Sequence, residues 1–100
     1  MKELKALYVI TNAGFSQEIV DIARSVGATG CTILNARGSV ANPQKIFGIT
    51  IDTEKEIVLS VLEKSIAIKV MEEIKAKSGV GTPAHAICFF MPVDMTTLNI

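Results

Sequence analysis

The chain has 100 residues and no net charge, because ten Lys and Arg offset ten Asp and Glu. It therefore lacks the basic field that holds nucleic acid or an anionic membrane surface, and a nucleic-acid partner is not expected. Cysteine is scarce. Cys31 and Cys88 are too few for the disulfide framework of a small secreted domain. Each stands in an apolar, strand-like run and reads as a buried free thiol. No apolar run approaches the roughly 18–20 residues of a membrane-spanning helix, so membrane insertion is not expected. Met1-Lys2-Glu3-Leu4-Lys5 leads only into Ala6–Ile10, which is short for a signal sequence, and no small-residue cleavage site follows. The expectation is a cytoplasmic protein. No internal repeat or low-complexity tract occurs.

What is present is apolar. Hydrophobic residues make up 49% and charged residues 20%, and the mean hydropathy is +0.42. That composition supports a packed core, and the length predicts a single domain over 1–100. The surplus hydrophobicity is assigned to a subunit interface.

Periodicity divides the chain. Leu4–Thr11 is apolar and β-forming and predicts a first strand, broken by Asn12-Ala13-Gly14. Ser16 is the expected N-cap of a first helix, with Glu18 in its first turn. Ile19, Ile22, Ala23 and Val26 then fall on one helical face, and Gly27 supplies the stop. Cys31–Arg37 predicts a second strand between Gly30 and Gly38. Ser39–Gln44 carries Asn42-Pro43, a turn signal. Ile46–Ile51 is β-prone, Asp52–Lys55 reads as a polar turn, and Glu56–Leu62 predicts a strong strand that could form a hairpin with 46–51. Glu63-Lys64-Ser65 offers caps for a second helix, whose apolar face is Ala67, Val70, Met71 and Ile74. Glu73 and Lys77 form an i, i+4 pair on its wet side. Gly79 ends it. The loop 79–84 leads to a last strand, Ala86–Met91, continuous enough in apolar character to predict burial on both faces.

The order predicts an α+β, ferredoxin-like βαββαβ fold. Two helices cover one face of an antiparallel sheet, and an extended loop or hairpin joins the second and third core strands. A chain this short has no third layer for the other face, so oligomerisation through the open sheet face is expected.

Three stretches on this framework carry a family resemblance. They are Gly30–Gly38 (GCTILNARG), Phe47–Val58 (FGITIDTEKEIV) and Gly79–Asp94 (GVGTPAHAICFFMPVD). Together they resemble the PII signalling proteins, and the middle stretch is similar to a short PII-like group. The resemblance covers nearly the whole chain. It implies a homotrimer that binds a small effector in clefts between subunits, AMP, ADP or ATP, with no obligatory cofactor. It also implies a T-loop-like segment over 38–55 that acts on a protein target, and a role in nitrogen regulation.

Carried over residue by residue, the resemblance puts Thr32 against adenine and Arg37 and Gly38 at the base of the T-loop. It makes Gly79–His85 the B-loop, whose backbone N–H groups hold phosphate. Gly81, Thr82 and His85 are the expected contacts there. Small residues in such a loop let N–H groups approach an anion.

The chain also departs from the family. Thr82-Pro83-Ala84-His85 stands where nucleotide-binding PII proteins carry a Gly-Asp-Gly-Lys loop, and no Lys or Arg follows Lys77. Two usual sources of positive charge for a triphosphate are missing. The only Tyr is Tyr8, so the T-loop modification site is absent. Gln44-Lys45 loosely matches the T-loop glutamine.

Two other functional classes have features to compare with the sequence. A divalent-metal protein of the same fold, similar to the cation-tolerance relatives, would use His85 and carboxylates. His85 and Cys88 are three apart on an expected strand, so they point to opposite faces and are poorly placed to share one metal. An enzyme would need Cys31 or Cys88 beside an oriented base, and no spacing supports one. The chain reads as a binding module rather than an enzyme.

Overall fold

The computed structural model describes residues 2–39 and 53–98. The elements are β1 (Leu4–Asn12), α1 (Ser16–Ser25), β2 (Thr32–Arg37), β3 (Glu54–Glu63), α2 (Lys64–Lys77) and β4 (Ile87–Pro92). They form one four-stranded sheet in the order β2-β3-β1-β4. Every neighbouring pair is antiparallel. This is the expected α+β arrangement. The expected strand over 46–51, its hairpin and Gln44-Lys45 lie outside the described residues.

β3 starts two residues earlier than predicted. Glu54 and Lys55 were expected in a turn but pair with Arg37 and Ala36. Ladder pairing on both sides overrides the low β-propensity of two charged residues.

The helices pack largely where their periodicity predicts, except that Val26 and Met71 are only partly buried and Val20 joins the buried face. Ile19, Val20, Ile22 and Ala23 of α1 are buried, as are Ala67, Val70 and Ile74 of α2. They meet Leu7, Val9, Val58 and Leu62 from the sheet. Each buried Val, Leu or Ile among them contributes about 1.5–3 kcal/mol by leaving water. Glu73 and Lys77 pair at 2.8 Å on the outer side of α2.

The caps differ from expectation. Ser16 is the first helical residue of α1, not its N-cap, and its side chain makes no capping bond. A carboxylate oxygen of Glu56 takes that role from β3. It accepts from the backbone N–H of Gly14 at 2.7 Å and of Ser16 at 3.3 Å. A negative charge there also suits the positive end of the helix. At the other end of α1, Gly27 N–H bonds Arg24 O and Ala28 N–H bonds Ala23 O. That is the reciprocal pair of a Schellman stop, with Gly27 at φ +113°. No side chain of Glu63, Lys64 or Ser65 caps α2. β3 runs straight into the helix, and Lys64 N–H bonds Glu3 O at 2.9 Å. Gly79 follows α2 because a Cβ there would stand 2.9 Å from Lys75 O.

The sheet has one covered and one uncovered face. Leu7, Val9 and Thr11 of β1 and Val58, Ser60 and Leu62 of β3 face the helices and are buried. Alternate residues face the other way. There Tyr8 stands opposite Leu59 on one side and Phe89 on the other. The Tyr8 and Phe89 rings stack with centroids 5.3 Å apart. Leu34, Ile87, Phe89 and Met91 on this face are 40–48% exposed. The prediction that the last strand is buried on both faces fails for one chain. Only Cys88 and Phe90 of β4 pack against the core. A continuous apolar run cannot distinguish cover by the chain itself from cover by another chain.

Candidate functional site

The six residues singled out above fall into two places. Arg37 and Gly38 stand at the C-terminal end of β2, where Arg37 pairs with Glu54 and Gly38 N–H bonds Thr53 O at 2.7 Å. The loop holding Gly81, Thr82 and His85 lies at the same end of the sheet, because Asn12 N–H, at the end of β1, bonds Ala84 O at 2.9 Å. β3 and β1 separate the two edges, so they are three interstrand spacings, about 14 Å, apart. Thr32 is elsewhere. It opens β2, five residues before Arg37, and is displaced along the strand by about 17 Å. One chain thus brings five of the six to one end of the sheet and leaves Thr32 toward the other.

The loop 79–86 is folded on itself. Thr82 donates its hydroxyl to Gly79 O at 2.7 Å and its N–H to the same oxygen at 3.1 Å. His85 N–H bonds Thr82 O at 3.0 Å, and Gly81 N–H points to His85 Nδ1 at 3.4 Å. The N–H groups of Gly81, Thr82 and His85 are therefore occupied inside the loop in this conformation. Gly81 has φ +94° and His85 φ +47°. The second is the left-handed region, which costs a residue bearing a Cβ about 1–2 kcal/mol. Two side-chain bonds add to the Asn12 backbone bond in holding this shape from outside the loop. Thr11 Oγ1 donates to Ala84 O at 2.8 Å, and Asn12 Nδ2 donates to Pro83 O at 2.9 Å.

Arg37 is 80% exposed in its side chain and lies 3.8 Å from a Glu54 oxygen. An ion pair that wet contributes little to stability and leaves the guanidinium available.

Sequence reasoning missed Lys55. The sequence pattern puts it in a polar turn, yet it sits on β3 between the two edges. On the uncovered face its register partners are Asn12 and Ala36. Its ammonium donates to Asn12 Oδ1. Its stem lies over Gly38, where a Cβ would stand 3.1 Å from Lys55 Cε. Glu56 was likewise read only as strand. Each finds its partner more than forty residues away in sequence, which no local pattern reveals.

The cysteines are free and half-buried, not fully buried as expected. Both pack against the core from the edge-strand region, where cover is incomplete. Burial raises the Cys88 thiol above its ordinary value of 9.0. Cys88 lines an open groove of about 640 Å³ between α2 and β4, with Met71, Lys75, Val80, Ile87 and Phe90. The groove includes none of the six candidate residues. Among the described residues no group of three or more His, Cys, Asp or Glu could hold a metal ion. None of the described helices is long and apolar enough to cross a membrane.

No family model and no curated protein sequence matches the chain. Solved structures do. A PII-like signalling protein from Thermus thermophilus superposes with a TM-score of 0.71 at 16% identity, covering 92% of this chain and 88% of that one. The ATP complex of GlnK from Bacillus subtilis gives 0.69 at 19% identity, covering 93% and 84%. CPII from Thiomonas intermedia, a nitrogen regulatory PII-like protein bound to ADP, AMP and bicarbonate, gives 0.68 at 13% identity, covering 91% and 90%. The chain has the fold of the PII-like signalling proteins.

Proposed function

We propose that the chain is a PII-like regulator, a homotrimer that binds an adenine nucleotide in clefts between its subunits. The observation that carries this reading is the split of the candidate residues. Arg37, Gly38, Gly81, Thr82 and His85 share one end of the sheet, while Thr32 lies about 17 Å along β2. A cleft that uses Thr32 against the base must borrow it from a second copy. The uncovered apolar sheet face supplies the reason for copies to associate. GlnK and CPII, which share the fold, are bound to ATP and to ADP and AMP.

The sheet end then provides one wall of the cleft and a neighbouring copy the other. The effector would bias the segment 38–55 toward one conformation and so change its affinity for a protein target. It must bind one state of that segment better than the other for this to work. Nitrogen regulation and action in the cytoplasm belong to the same reading. No observation favours the metal-binding alternative or catalysis.

The test is a thermal shift series on the purified protein with AMP, ADP and ATP, each with and without Mg²⁺. A nucleotide that binds only the folded state adds about 2.7 kcal/mol at 100 times its dissociation constant. Arg37→Ala and Thr82→Ala should each weaken that shift. Absence of a shift with every adenine nucleotide would overturn the reading.

A further inference from the structure

A continuous run of contacts crosses the end of the sheet on its uncovered side. Gly38 lies under the stem of Lys55. Lys55 Nζ donates to Asn12 Oδ1, and Asn12 Nδ2 donates to Pro83 O at 2.9 Å. The run spans from the base of the 38–55 segment, over β3 and β1, to the 79–85 loop. A single cation stands in it.

Lys55 is only partly exposed. Its hydrogen-bond partner Asn12 is neutral, and it has no carboxylate partner among the described residues. Its neighbours Glu54 and Glu56 face the helix side, where Glu54 lies near Arg37 and Glu56 caps α1. An ammonium that is partly removed from water without a counter-charge is held at a cost, and an anion placed beside it is bound more strongly than at a free surface. Two further N–H donors of the ammonium remain after the bond to Asn12. The loop that should present backbone donors has those of Gly81, Thr82 and His85 turned inward. No Lys or Arg lies in that loop.

We propose that Lys55, steadied by Asn12, is the anion-binding residue of this cleft and takes a phosphoryl group of the effector. The inference rests on the nucleotide reading above and adds the residue that supplies the missing positive charge. Gly38 is part of the same device, because a side chain there would crowd the Lys55 stem and displace it by a few tenths of an ångström. Asn12 is a positioning residue. It aims the ammonium and ties it to the 79–85 loop, so an anion that draws Lys55 toward itself also loosens the Asn12 link to Pro83.

The test is titration calorimetry of adenosine, AMP and ADP into the wild type, Lys55→Met, Lys55→Arg and Asn12→Ala, with circular dichroism melts as the folding check. Lys55→Met should weaken ADP by about ten- to a hundredfold, the loss expected for one charge-assisted hydrogen bond. It should leave adenosine unchanged. Lys55→Arg keeps the charge and should retain most of the preference for ADP over adenosine. Asn12→Ala should reduce that preference by a smaller factor. If Lys55→Met does not fold, Lys55→Gln is read in its place.

Should Lys55→Met keep the wild-type ratio of ADP to adenosine while Arg37→Ala loses it, the Lys55 assignment is overturned and the cleft reading stands. Should the wild type bind no nucleotide, the cleft reading fails and inorganic pyrophosphate decides the rest. Pyrophosphate binding that vanishes in Lys55→Met keeps the anion subsite, and no pyrophosphate binding by the wild type removes it.

Discussion

The two faces of the sheet are built from similar residues and meet different fates. On one face Leu7, Val9, Val58 and Leu62 are at most 5% exposed under the two helices. On the other, Tyr8, Leu59, Leu34, Ile87, Phe89 and Met91 form an apolar surface that the described chain leaves uncovered. Alternation along each strand sends comparable hydrophobicity both ways, and only the helix side finds a partner among the described residues. The first face is a property of the monomer. The second is the face at which the proposed association of copies would occur.

Substitutions can break this contrast in graded steps. The largest loss is expected at the centre of the covered face. Ile74 is fully buried, and Ile74→Ala should cost about 2–5 kcal/mol in chemical denaturation. That loss should appear whatever the oligomeric state. On the uncovered face, Phe89→Asp should leave the secondary structure intact. It should convert the oligomer to monomers in light scattering, because a carboxylate would otherwise be buried between copies. A Phe89→Asp protein that stays oligomeric would mean the copies meet elsewhere. Third in size is Glu56→Ala, which removes the cap of α1 and should cost about 1 kcal/mol. Faster amide exchange at Gly14 and Ser16 would report it, with the rest of the sheet unchanged.

The smallest effect is a pH slope. Burial raises the Cys88 thiol in the folded chain above the 9.0 of an ordinary thiol. The unfolded chain therefore loses its proton first. Stability is unaffected below that pH and falls as pH rises from 9.0 toward the raised folded value. Cys88→Ala should flatten this slope, and melts at pH 8 and pH 10 would measure it.

The sequence exposed the fold at the level of periodicity. The apolar faces of both helices, the Gly27 stop and all four described strands could be read from composition and spacing, the strand ends to within two residues. Where the reading failed, long-range partners decide the structure. Glu54 and Lys55 look like a turn until β2 and β1 pair with them. Ser16 looks like a cap until Glu56 reaches α1 from across the sheet. The last strand looks doubly buried because a run such as ICFFM is equally compatible with an intrachain and an intersubunit cover. The candidate site was legible in parts for the same reason. Arg37, Gly38 and the 79–85 loop are contiguous motifs, whereas Lys55 gains its position from Asn12, 43 residues away.

The central claim, that each effector cleft is completed by a second copy, is tested most directly by mixing two defective proteins. Thr32→Glu blocks the part lent to the neighbour. Arg37→Ala weakens the part at the sheet end. Each variant alone should bind ADP poorly as a homo-oligomer. After the two are unfolded, mixed in equal amounts and refolded together, about a quarter of the clefts should combine the sound half of each, if copies assort at random around a closed ring. The account predicts recovery of high-affinity ADP binding at about that stoichiometry. Mixed oligomers that form but recover no binding would contradict it.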